Sequence, residues 1–443
     1  MKNIDDAFSF FKQLLYRGAI ATVTATAVLT PQLTPPVAAT IESSPKEIVD
    51  QVWQIVNNEF VDRDFNNSDW LAMRQTALAK DYDNQQEAYR EIRRMLRSLG
   101  DPYTRFLSPA EFELLTNQTS GELSGIGVTL TIDSVTGKIL VSDTFPNSPA
   151  ALAGIRKGDF IVKVDNQLTN FMGLEQVSQA LRGEIDTQVS LEIQRGNQVF
   201  TMDLIRSQVH LPSVSFSYRD EGSIPVGYIK LDEFSSHAAE QMQDAIAQLS
   251  EQNVSAYVLD LRDNPGGLLF ASVDIARMWM EKGSIVRTID RKGGDQQFFA
   301  NHTALTNAPL AVLVNEDSAS ASEILAGALK DNKRATIVGS RTFGKGTVQS
   351  VHTLNDGSGL AVTMSRYYPP SGINITNHGI LPNVQQELTV SERNRLEINP
   401  SLMGTSADPQ YVSAIGILTN TVLSERERSN NPISISQETA NTF

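Results

Sequence analysis

The sequence of 443 residues contains no cysteine, which excludes a cysteine protease, a zinc site with cysteine ligands, an iron–sulfur cluster and a disulfide-linked scaffold. It is also short of basic residues, because 37 Lys and Arg stand against 51 Asp and Glu, a net charge of −14. Nucleic-acid affinity depends on clustered Lys and Arg, so this balance argues against a nucleic-acid-binding protein. Hydrophobic residues form 40% of the chain, which is enough for packed cores in about three domains.

Histidine is scarce as well. The five histidines are dispersed along the chain, and we expect each to be a surface or structural residue: His210, His237, His302, His352 and His378. No HExxH or GxSxG motif is present. The sequence therefore supports neither a Ser-His-Asp triad nor a metal-dependent hydrolase.

The apolar run near the N-terminus, Gly18–Leu29, is shorter than the ~20 residues of a membrane-spanning helix. Lys12 and Arg17 precede this run, and the small residues Val37-Ala38-Ala39 follow it. This order is typical of a secretory signal, which we predict for residues 1–39. An amphipathic N-terminal helix is the alternative. Export and removal of the signal would leave a mature protein without a membrane span.

The hydrophobic pattern divides the rest of the chain into four regions. We predict a helical region, a β-rich module, an α/β region and a C-terminal extension over residues 40–118, 119–206, 207–392 and 393–443. In the α/β region, apolar strands such as Val254–Leu261 alternate with helices, which is typical of a sheet covered by helices. The extension is polar, and Tyr411–Leu423 is the segment that could form a helix.

Three serines stand within five residues at a turn from a predicted strand into a predicted helix. They are Ser318, Ser320 and Ser322, separated only by alanines. A hydroxyl there lies beside free backbone N–H groups and the positive end of the helix dipole, which suits the oxyanion of acyl transfer. The alternative is structural, because Ser320 and Glu323 also form the pattern of a capping box.

A lysine lies in a glycine-rich loop shortly after the next strand. Lys345 stands between Gly344 and Gly346, so the loop can approach another backbone closely. A lysine can act as the base for a serine when burial lowers its pKa from ~10.4 toward neutrality. The alternatives are a solvated turn and a P-loop over Gly339–Lys345. The P-loop is disfavoured because Gly346 replaces the Mg²⁺-binding Ser or Thr, and strand-like segments follow where a helix is required.

These segments resemble the carboxy-terminal processing (tail-specific) proteases, which are Ser-Lys peptidases that contain a PDZ domain. Asn315–Ile324 and Thr342–Gln349 match the family signature, and the separation of Ser320 and Lys345 (345 − 320 = 25) matches the family spacing. The signal and the N-terminal helices are most similar to the cyanobacterial and plastid branch. The resemblance implies an α/β multidomain fold, in which a crotonase-like α/β peptidase core carries an inserted β-rich PDZ domain and N-terminal helices.

The resemblance also implies roles for individual residues. Ser320 would be the nucleophile, Lys345 the general base, and Gln349 the residue that holds the lysine in place. The implied activity is that of an exported serine endopeptidase that cleaves near the C-terminus of proteins with accessible tails. Neither a cofactor nor a metal would be required. A catalytically inactive PDZ scaffold that only binds tails is the alternative from another functional class.

A second family motif matches the turn Leu261–Gly267. By resemblance, the amide of Gly266 would form the oxyanion hole together with the amide of Ala321. The physical alternative is a structural Asn-Pro-Gly-Gly turn that opens a helix. Asp331 matches an acidic position that supports activity in some members, although it could be structural, since an acid is unfavourable at a helix C-terminus.

The β-rich module is similar to a PDZ domain. Its loop Gly125-Ile126-Gly127-Val128 matches the loop that binds a terminal carboxylate through backbone N–H groups, while a strand edge pairs with the peptide. Arg182 matches an arginine that links the PDZ domain to the active site in some relatives. The branch places the protein in the periplasm or the thylakoid lumen, and the photosystem II reaction-centre precursor is a candidate substrate.

Overall fold

The computed structural model describes residues 44–430. The predicted signal over residues 1–39 therefore lies outside the described residues. Among residues 44–430, no helix is long and apolar enough to cross a membrane.

The helices are given in chain order. They are α1 (Pro45–Glu59), α2 (Trp70–Ala79), α3 (Gln85–Arg97), α4 (Pro109–Ser120), α5 (Pro149–Leu152), α6 (Leu174–Leu181), α7 (Ala238–Glu251), α8 (Leu269–Trp279), α9 (Ala321–Asp331), α10 (Val390–Ile398) and α11 (Pro409–Asn430). Three short 3₁₀ turns cover Phe65–Asn67, Thr169–Phe171 and Pro400–Leu402.

The strands follow the same convention. They are β1 (Arg105–Leu107), β2 (Glu122–Gly125), β3 (Val128–Ile132), β4 (Ile139–Thr144), β5 (Phe160–Val164), β6 (Gln167–Leu168), β7 (Gln188–Arg195), β8 (Gln198–Ile205), β9 (Ser207–His210), β10 (Val214–Asp220), β11 (Pro225–Leu231), β12 (Ala256–Asp260), β13 (Ser284–Asp290), β14 (Asp295–Phe299), β15 (Leu310–Val314), β16 (Thr336–Gly339), β17 (Thr347–Thr353), β18 (Gly359–Tyr368) and β19 (Val384–Gln385).

One compact unit contains residues 44–114, Ile289–Gly294 and Thr347–Arg366. Helices α1, α2 and α3 pack around an apolar cluster that includes the buried face of α1 from Ile48 to Val56. Helix α3 begins after Asn84, whose side chain caps the helix by accepting the Glu87 N–H. The sequence prediction of helices in this region is confirmed for these three elements.

The same unit contains a strand that the sequence did not predict. Arg105–Leu107 forms β1 inside the region predicted to be helical, and it pairs antiparallel with Gly359–Ala361 of β18. Strand β17 pairs with β18 on its other side. A three-residue strand has no detectable period of its own, so its pairing with a distant segment decides its conformation.

The second unit contains Leu115–Thr288, Asp295–Gly346 and residues 367–430. Its β-rich part is an antiparallel sheet in the order β3-β4-β5-β7-β8, covered by α5 and α6 around an apolar cluster of its own. Strand β3 lies at the edge of this sheet. Strands β2 and β9, which enter and leave this part of the chain, pair with each other as a separate two-stranded ribbon.

The α/β part of this unit is a six-stranded sheet in the order β10-β11-β12-β15-β16-β19. The pairs from β11 to β19 are parallel, and β10 is antiparallel at the edge. All residues of β12 and β15 are buried, as expected for strands covered on both faces. The loops that leave the carboxyl ends of β12, β15 and β16 carry Gly266, Ser320 and Lys345. This edge of a parallel sheet is where α/β proteins place their ligands.

The C-terminal extension contributes to the core through α11 as far as Val422. Helix α11 buries Tyr411, Ala414, Leu418 and Val422, spaced three or four residues apart, in the apolar cluster of the six-stranded sheet. The predicted helix over Tyr411–Leu423 is confirmed, and α11 is longer at both ends. The polar composition of the extension did not reveal this packing.

A buried ion cluster connects this extension to the strand that precedes the Gly-rich turn. The Arg262 guanidinium donates to both oxygens of Asp408, at 3.1 and 2.7 Å, and to Asp260 at 2.9 Å. Tyr228 Oη also donates to Asp260, at 2.7 Å. Burial disfavours the charged carboxylate, but the Arg262 guanidinium holds the pKa of Asp260 below its ordinary value. Removing any one of these side chains would leave a buried charge or hydrogen-bonding group of the cluster without its partner.

We predict that Arg262→Met lowers the free energy of unfolding by about 3–5 kcal/mol, because it leaves two buried carboxylates without their cation. Urea unfolding followed by circular dichroism measures the change. The control is Arg287→Met, which removes the exposed ion pair of Arg287 with Asp295 and is expected to cost much less, because solvent screens that pair. Equal losses in the two variants would contradict the assigned role of the buried cluster.

Candidate active site

The junction of β15 and α9 places Ser320 in a strained backbone conformation. Its φ of 54° and ψ of −112° lie in a region that L-residues rarely adopt. The preceding residue fixes the junction to the Gly-rich turn, because the Ala319 N–H donates to the Asn264 carbonyl at 3.0 Å. Such strain at a polar residue, held by the surrounding structure, is typical of functional sites.

The three candidate serines differ in what their hydroxyls do. Ser318 Oγ donates to the Leu261 carbonyl at 2.8 Å, and Ser322 Oγ donates to the Asn264 carbonyl at 3.0 Å. Both of these serines are fully buried, whereas Ser320 is partly exposed. Glu323 accepts the Ser320 N–H, which is one half of the capping box, but Ser320 Oγ makes no cap bond to α9, so the capping-box alternative does not account for its hydroxyl. The structure leaves Ser320 as the serine available for chemistry.

Glu323, in the first turn of α9, connects the serine to the lysine loop. One carboxylate oxygen accepts the N–H groups of Ser320 and Lys345, each at 2.9 Å. The other accepts Thr342 Oγ1 at 2.6 Å and the Gly344 N–H at 2.7 Å. Burial raises the pKa of Glu323 above its ordinary value, and these four hydrogen bonds oppose that shift. A single buried side chain thus fixes the two backbone segments that carry the predicted dyad.

The glycines beside Lys345 allow a close backbone approach, as predicted. Gly344 has a φ of +92°, and a Cβ there would lie 2.9 Å from backbone nitrogens of the loop at His378 and Gly379. A Cβ at Gly346 would lie 2.4 Å from Thr376 Oγ1. Strand β17 follows this loop, so the P-loop alternative lacks the helix that binds phosphate.

A tyrosine adds a second connection between the two segments. Tyr367 Oη lies 3.0 Å from the Ser320 carbonyl oxygen and also contacts the Lys345 carbonyl oxygen. Its ring is buried. The backbone of each dyad residue is therefore held on its N–H side by Glu323 and on its carbonyl side by Tyr367.

The two backbone N–H groups that are predicted to bind the oxyanion differ in whether they already donate a hydrogen bond. A Cβ on Gly266 would lie 2.8 Å from Ser320 Cβ and 3.0 Å from the Ala321 nitrogen, so this glycine packs directly against the serine. The Ala321 N–H makes no hydrogen bond within residues 44–430. The Gly266 N–H donates to Asn264 Oδ1 at 2.9 Å. Ala321 is thus an open donor, and Gly266 can bind an oxyanion only by exchanging its bond to Asn264.

The loop between β2 and β3 presents two successive free donors. The N–H groups of Ile126 and Gly127 donate no hydrogen bond to any described residue, although their carbonyls accept from Ala150 and Phe145. Gly127 has a φ of +78°, and a Cβ there would lie 2.3 Å from Ser148 Cβ. Two such N–H groups beside the edge strand β3 are donors of the kind that bind a terminal carboxylate.

Three other predicted residues lie apart from this constellation or have other partners. Arg182 follows α6, and its side chain has no hydrogen bond or ion pair with the part of the chain that the structure describes. Asp331 ends α9, about 16 Å along the helix axis from its start, and accepts the Ser371 N–H at 2.9 Å. In the first unit, the Gln349 side-chain amide donates to Thr347 Oγ1 at 3.0 Å.

Comparison with known proteins decides the family. A profile of peptidase family S41 matches residues 225–386, and a PDZ-domain profile matches residues 141–195. The chain is 40% identical over 389 residues to a carboxyl-terminal-processing protease of Synechocystis sp., covering 86% of this chain and 88% of the relative. The chain belongs to the carboxyl-terminal-processing proteases.

Two further relatives of this processing protease agree with that assignment. This chain is 39% identical over 376 residues to the chloroplastic C-terminal processing peptidase of Tetradesmus obliquus, covering 81% of each chain. A solved photosystem II D1 C-terminal processing protease has a TM-score of 0.52 and 38% identity, covering 83% of this chain and 100% of that one. The predicted family and the predicted α/β fold with a PDZ domain are confirmed.

Sequence reasoning missed two residues that organise the site of this processing protease. Glu323 was identified only as a capping-box partner, although its position three residues after Ser320 was the available signal. Its bonds to Thr342, Gly344 and Lys345 join segments that no local pattern connects. Tyr367 had no signal, because it lies in a strand of ordinary β composition.

We predict that Glu323→Gln lowers kcat by at least about 10²-fold, because the amide NH₂ group faces two donors that the carboxylate accepts, leaving them unsatisfied. Steady-state kinetics on an unstructured protein tail measures this loss. The control is Glu316→Gln in the loop before α9, since Glu316 bonds instead to Ser340 and Arg393, and we expect a change of less than about threefold. Near-normal turnover in Glu323→Gln would contradict the positioning role.

A second carboxyl group gives the processing protease a pH-dependent stability. Glu233 immediately precedes Phe234, whose N–H donates to the Gly266 carbonyl at 2.9 Å. Burial raises the pKa of Glu233 from 4.5 to about 7, against a weaker opposing hydrogen bond from Gln118. Between these two values the folded state holds a proton that the unfolded state has released, so stability falls as the pH rises through this range.

We predict that Glu233→Gln raises the free energy of unfolding more at pH 8 than at pH 5, because the neutral amide avoids the cost of burying a charge. Urea unfolding at the two pH values measures the difference. Glu251→Gln, at the exposed end of α7, is the control and is expected to show no such dependence. If Glu233→Gln raised the free energy of unfolding equally at both pH values, the pKa of Glu233 would not be raised as assigned.

Proposed function

We propose that this chain is an exported serine endopeptidase that uses Ser320 and Lys345 as a catalytic dyad. The observation that carries the proposal is the shared support of both residues by the buried carboxylate of Glu323. The backbone of Ser320 is strained, and its hydroxyl makes no cap bond to α9. Both features are consistent with the role of nucleophile. Membership of peptidase family S41 makes peptide hydrolysis the reaction.

In the proposed mechanism, neutral Lys345 accepts the hydroxyl proton while Ser320 Oγ attacks the scissile carbonyl carbon. The tetrahedral oxyanion binds the Ala321 N–H and, after exchange with Asn264, the Gly266 N–H. Collapse of this intermediate breaks the C–N bond, and the leaving amine takes the proton from Lys345. Water then attacks the acyl-enzyme, gives its proton to Lys345, and releases the acid while Ser320 is reprotonated.

The remaining predicted residues act by positioning in this proposal. Gln349 holds the Lys345 side chain in its productive orientation. Asp331 supports the far end of α9 through its bond to the Ser371 N–H. Both residues act on the orientation of other groups, so replacing either one would reduce activity without removing the nucleophile or the base.

The PDZ domain recognises the C-terminal tail of the substrate. We assign the terminal carboxylate to the N–H groups of Ile126 and Gly127, within the loop that also contains Gly125 and Val128. The tail then pairs with the free edge of β3. The guanidinium of Arg182, which follows α6, couples tail binding to the active site.

The relatives suggest the substrate and the compartment. They include cyanobacterial and chloroplastic processing enzymes and a photosystem II D1 C-terminal processing protease. We propose that the substrates include the precursor of this photosystem II reaction-centre protein, in the thylakoid lumen or the periplasm. The predicted signal over residues 1–39 would direct the export.

We predict that Ser320→Ala and Lys345→Ala each lower kcat by at least about 10³-fold on a protein with an unstructured tail, because each removes one member of the dyad. Mass spectrometry of the new C-termini measures cleavage, and the unfolding midpoint confirms the fold. The control is Lys282→Ala, which removes an exposed lysine. If both variants cleave like the parent, the Ser-Lys mechanism is wrong.

The same assay with a substrate that carries a C-terminal amide separates tail recognition from catalysis. Tail recognition predicts a raised KM for the amide, with kcat changed much less, because the free N–H groups of the PDZ loop lose their anionic partner. Binding of tails with no cleavage by the parent enzyme would favour the inactive scaffold. Equal KM values for the acid and the amide would show that the PDZ loop does not recognise the terminal carboxylate of the substrate.

A further inference from the structure

Two of the histidines that are dispersed in the sequence meet at the base of the PDZ domain. The ribbon of β2 and β9 aligns Glu122 directly opposite His210. His237 immediately precedes α7 of the peptidase part and reaches the same ribbon. The cluster thus joins the two strands that enter and leave the PDZ domain to a helix of the α/β part.

The donor atoms of this cluster converge. Glu122 Oε1 lies 2.8 Å from His237 Nε2 and 3.7 Å from His210 Nε2. One possible ligand atom from each of the three residues lies within 4.8 Å of the other two. The two imidazole rings are stacked with centroids 4.2 Å apart and planes inclined by 22°. A tetrahedral zinc ion, with bonds of about 2.0–2.2 Å, holds its ligand atoms about 3.3 Å apart, so small side-chain adjustments suffice.

Neighbouring groups orient these donors as in protein metal sites. Gln208 Nε2 donates to Glu122 Oε2, which leaves Oε1 directed at the histidines. His237 Nδ1 faces the Glu240 carboxylate at 3.9 Å, while its Nε2 faces the cluster. A shift of about 1 Å would bring this exposed carboxylate within hydrogen-bond distance of Nδ1, the arrangement that fixes the tautomer of a ligand histidine.

The supporting backbone is anchored next to the cluster. The Ser236 N–H donates to the Thr119 carbonyl at 3.0 Å, and Ser236 Oγ donates to the Ser120 carbonyl. These bonds hold the start of the ribbon against the segment that carries His237. The ligands therefore lie on connected elements of the fold, whereas His210 remains exposed enough for an ion and a water molecule to enter.

We propose that Glu122, His210 and His237 bind a divalent transition-metal ion of the zinc type, with water as the fourth ligand. Two imidazole nitrogens and one carboxylate oxygen are a donor set that zinc accepts. The ion holds the PDZ ribbon against the start of α7. It is structural and lies outside the Ser-Lys chemistry, so the site does not depend on the proposed mechanism.

Isothermal titration of the metal-free full chain, without a histidine tag, with Zn²⁺ tests the proposal. We expect one ion per chain with a micromolar or lower Kd, and at least about 10²-fold weaker binding in His237→Gln and in His210→Gln. The matched control is His302→Gln, because His302 faces Glu281 at 3.5 Å but belongs to no three-ligand cluster among the described residues. Binding in the control should equal that of the parent.

Two further readouts keep the test independent of folding. His210 is 60% exposed, so its replacement should leave the metal-free unfolding midpoint unchanged, while the rise of that midpoint on adding Zn²⁺ should disappear. Co²⁺ should give the visible absorption of a four-coordinate site in the parent and not in His210→Gln. Absence of saturable Zn²⁺ binding, or binding unchanged in both histidine variants, would overturn the proposal.

Discussion

The buried carboxylate of Glu323 is the interaction on which the active-site geometry depends. It lies in the first turn of α9, where the positive end of the helix dipole partly offsets the cost of burying a charge. Its two oxygens accept four donors from the serine junction and from the lysine loop. Neither segment can shift without leaving a buried donor unsatisfied, so this side chain, together with Tyr367, holds the backbones of Ser320 and Lys345 in place.

The parallel sheet brings those segments together. Three adjacent strands, β12, β15 and β16, end at the same edge, and their loops carry the Gly-rich turn, the serine and the lysine. Asn264 connects the first two loops, since its carbonyl accepts the Ala319 N–H and Ser322 Oγ. The ion cluster of Arg262 and the packing of α11 then stabilise the base of this edge, so the C-terminal extension contributes to the site at a distance.

Local patterns were sufficient for much of the fold and for the two backbone segments that carry the proposed dyad. The capping-box pattern of Ser320 and Glu323 located the start of α9, and the glycines around Lys345 indicated the close backbone approach that the structure contains. Contacts between distant segments were not accessible in this way. Pairing of β1 with β18, burial of α11, and the meeting of His210 with His237 each join parts of the chain that no local period relates.

The central claim is that Lys345 activates Ser320, and covalent labelling tests it most directly. The protein is treated with a fluorophosphonate, which forms a stable ester with an activated serine, and the adduct is located by peptide mass spectrometry. The account predicts a single adduct on Ser320, formed at least about 10²-fold more slowly in Lys345→Ala. Labelling at another serine, or an equal rate at Ser320 without the lysine, would contradict it.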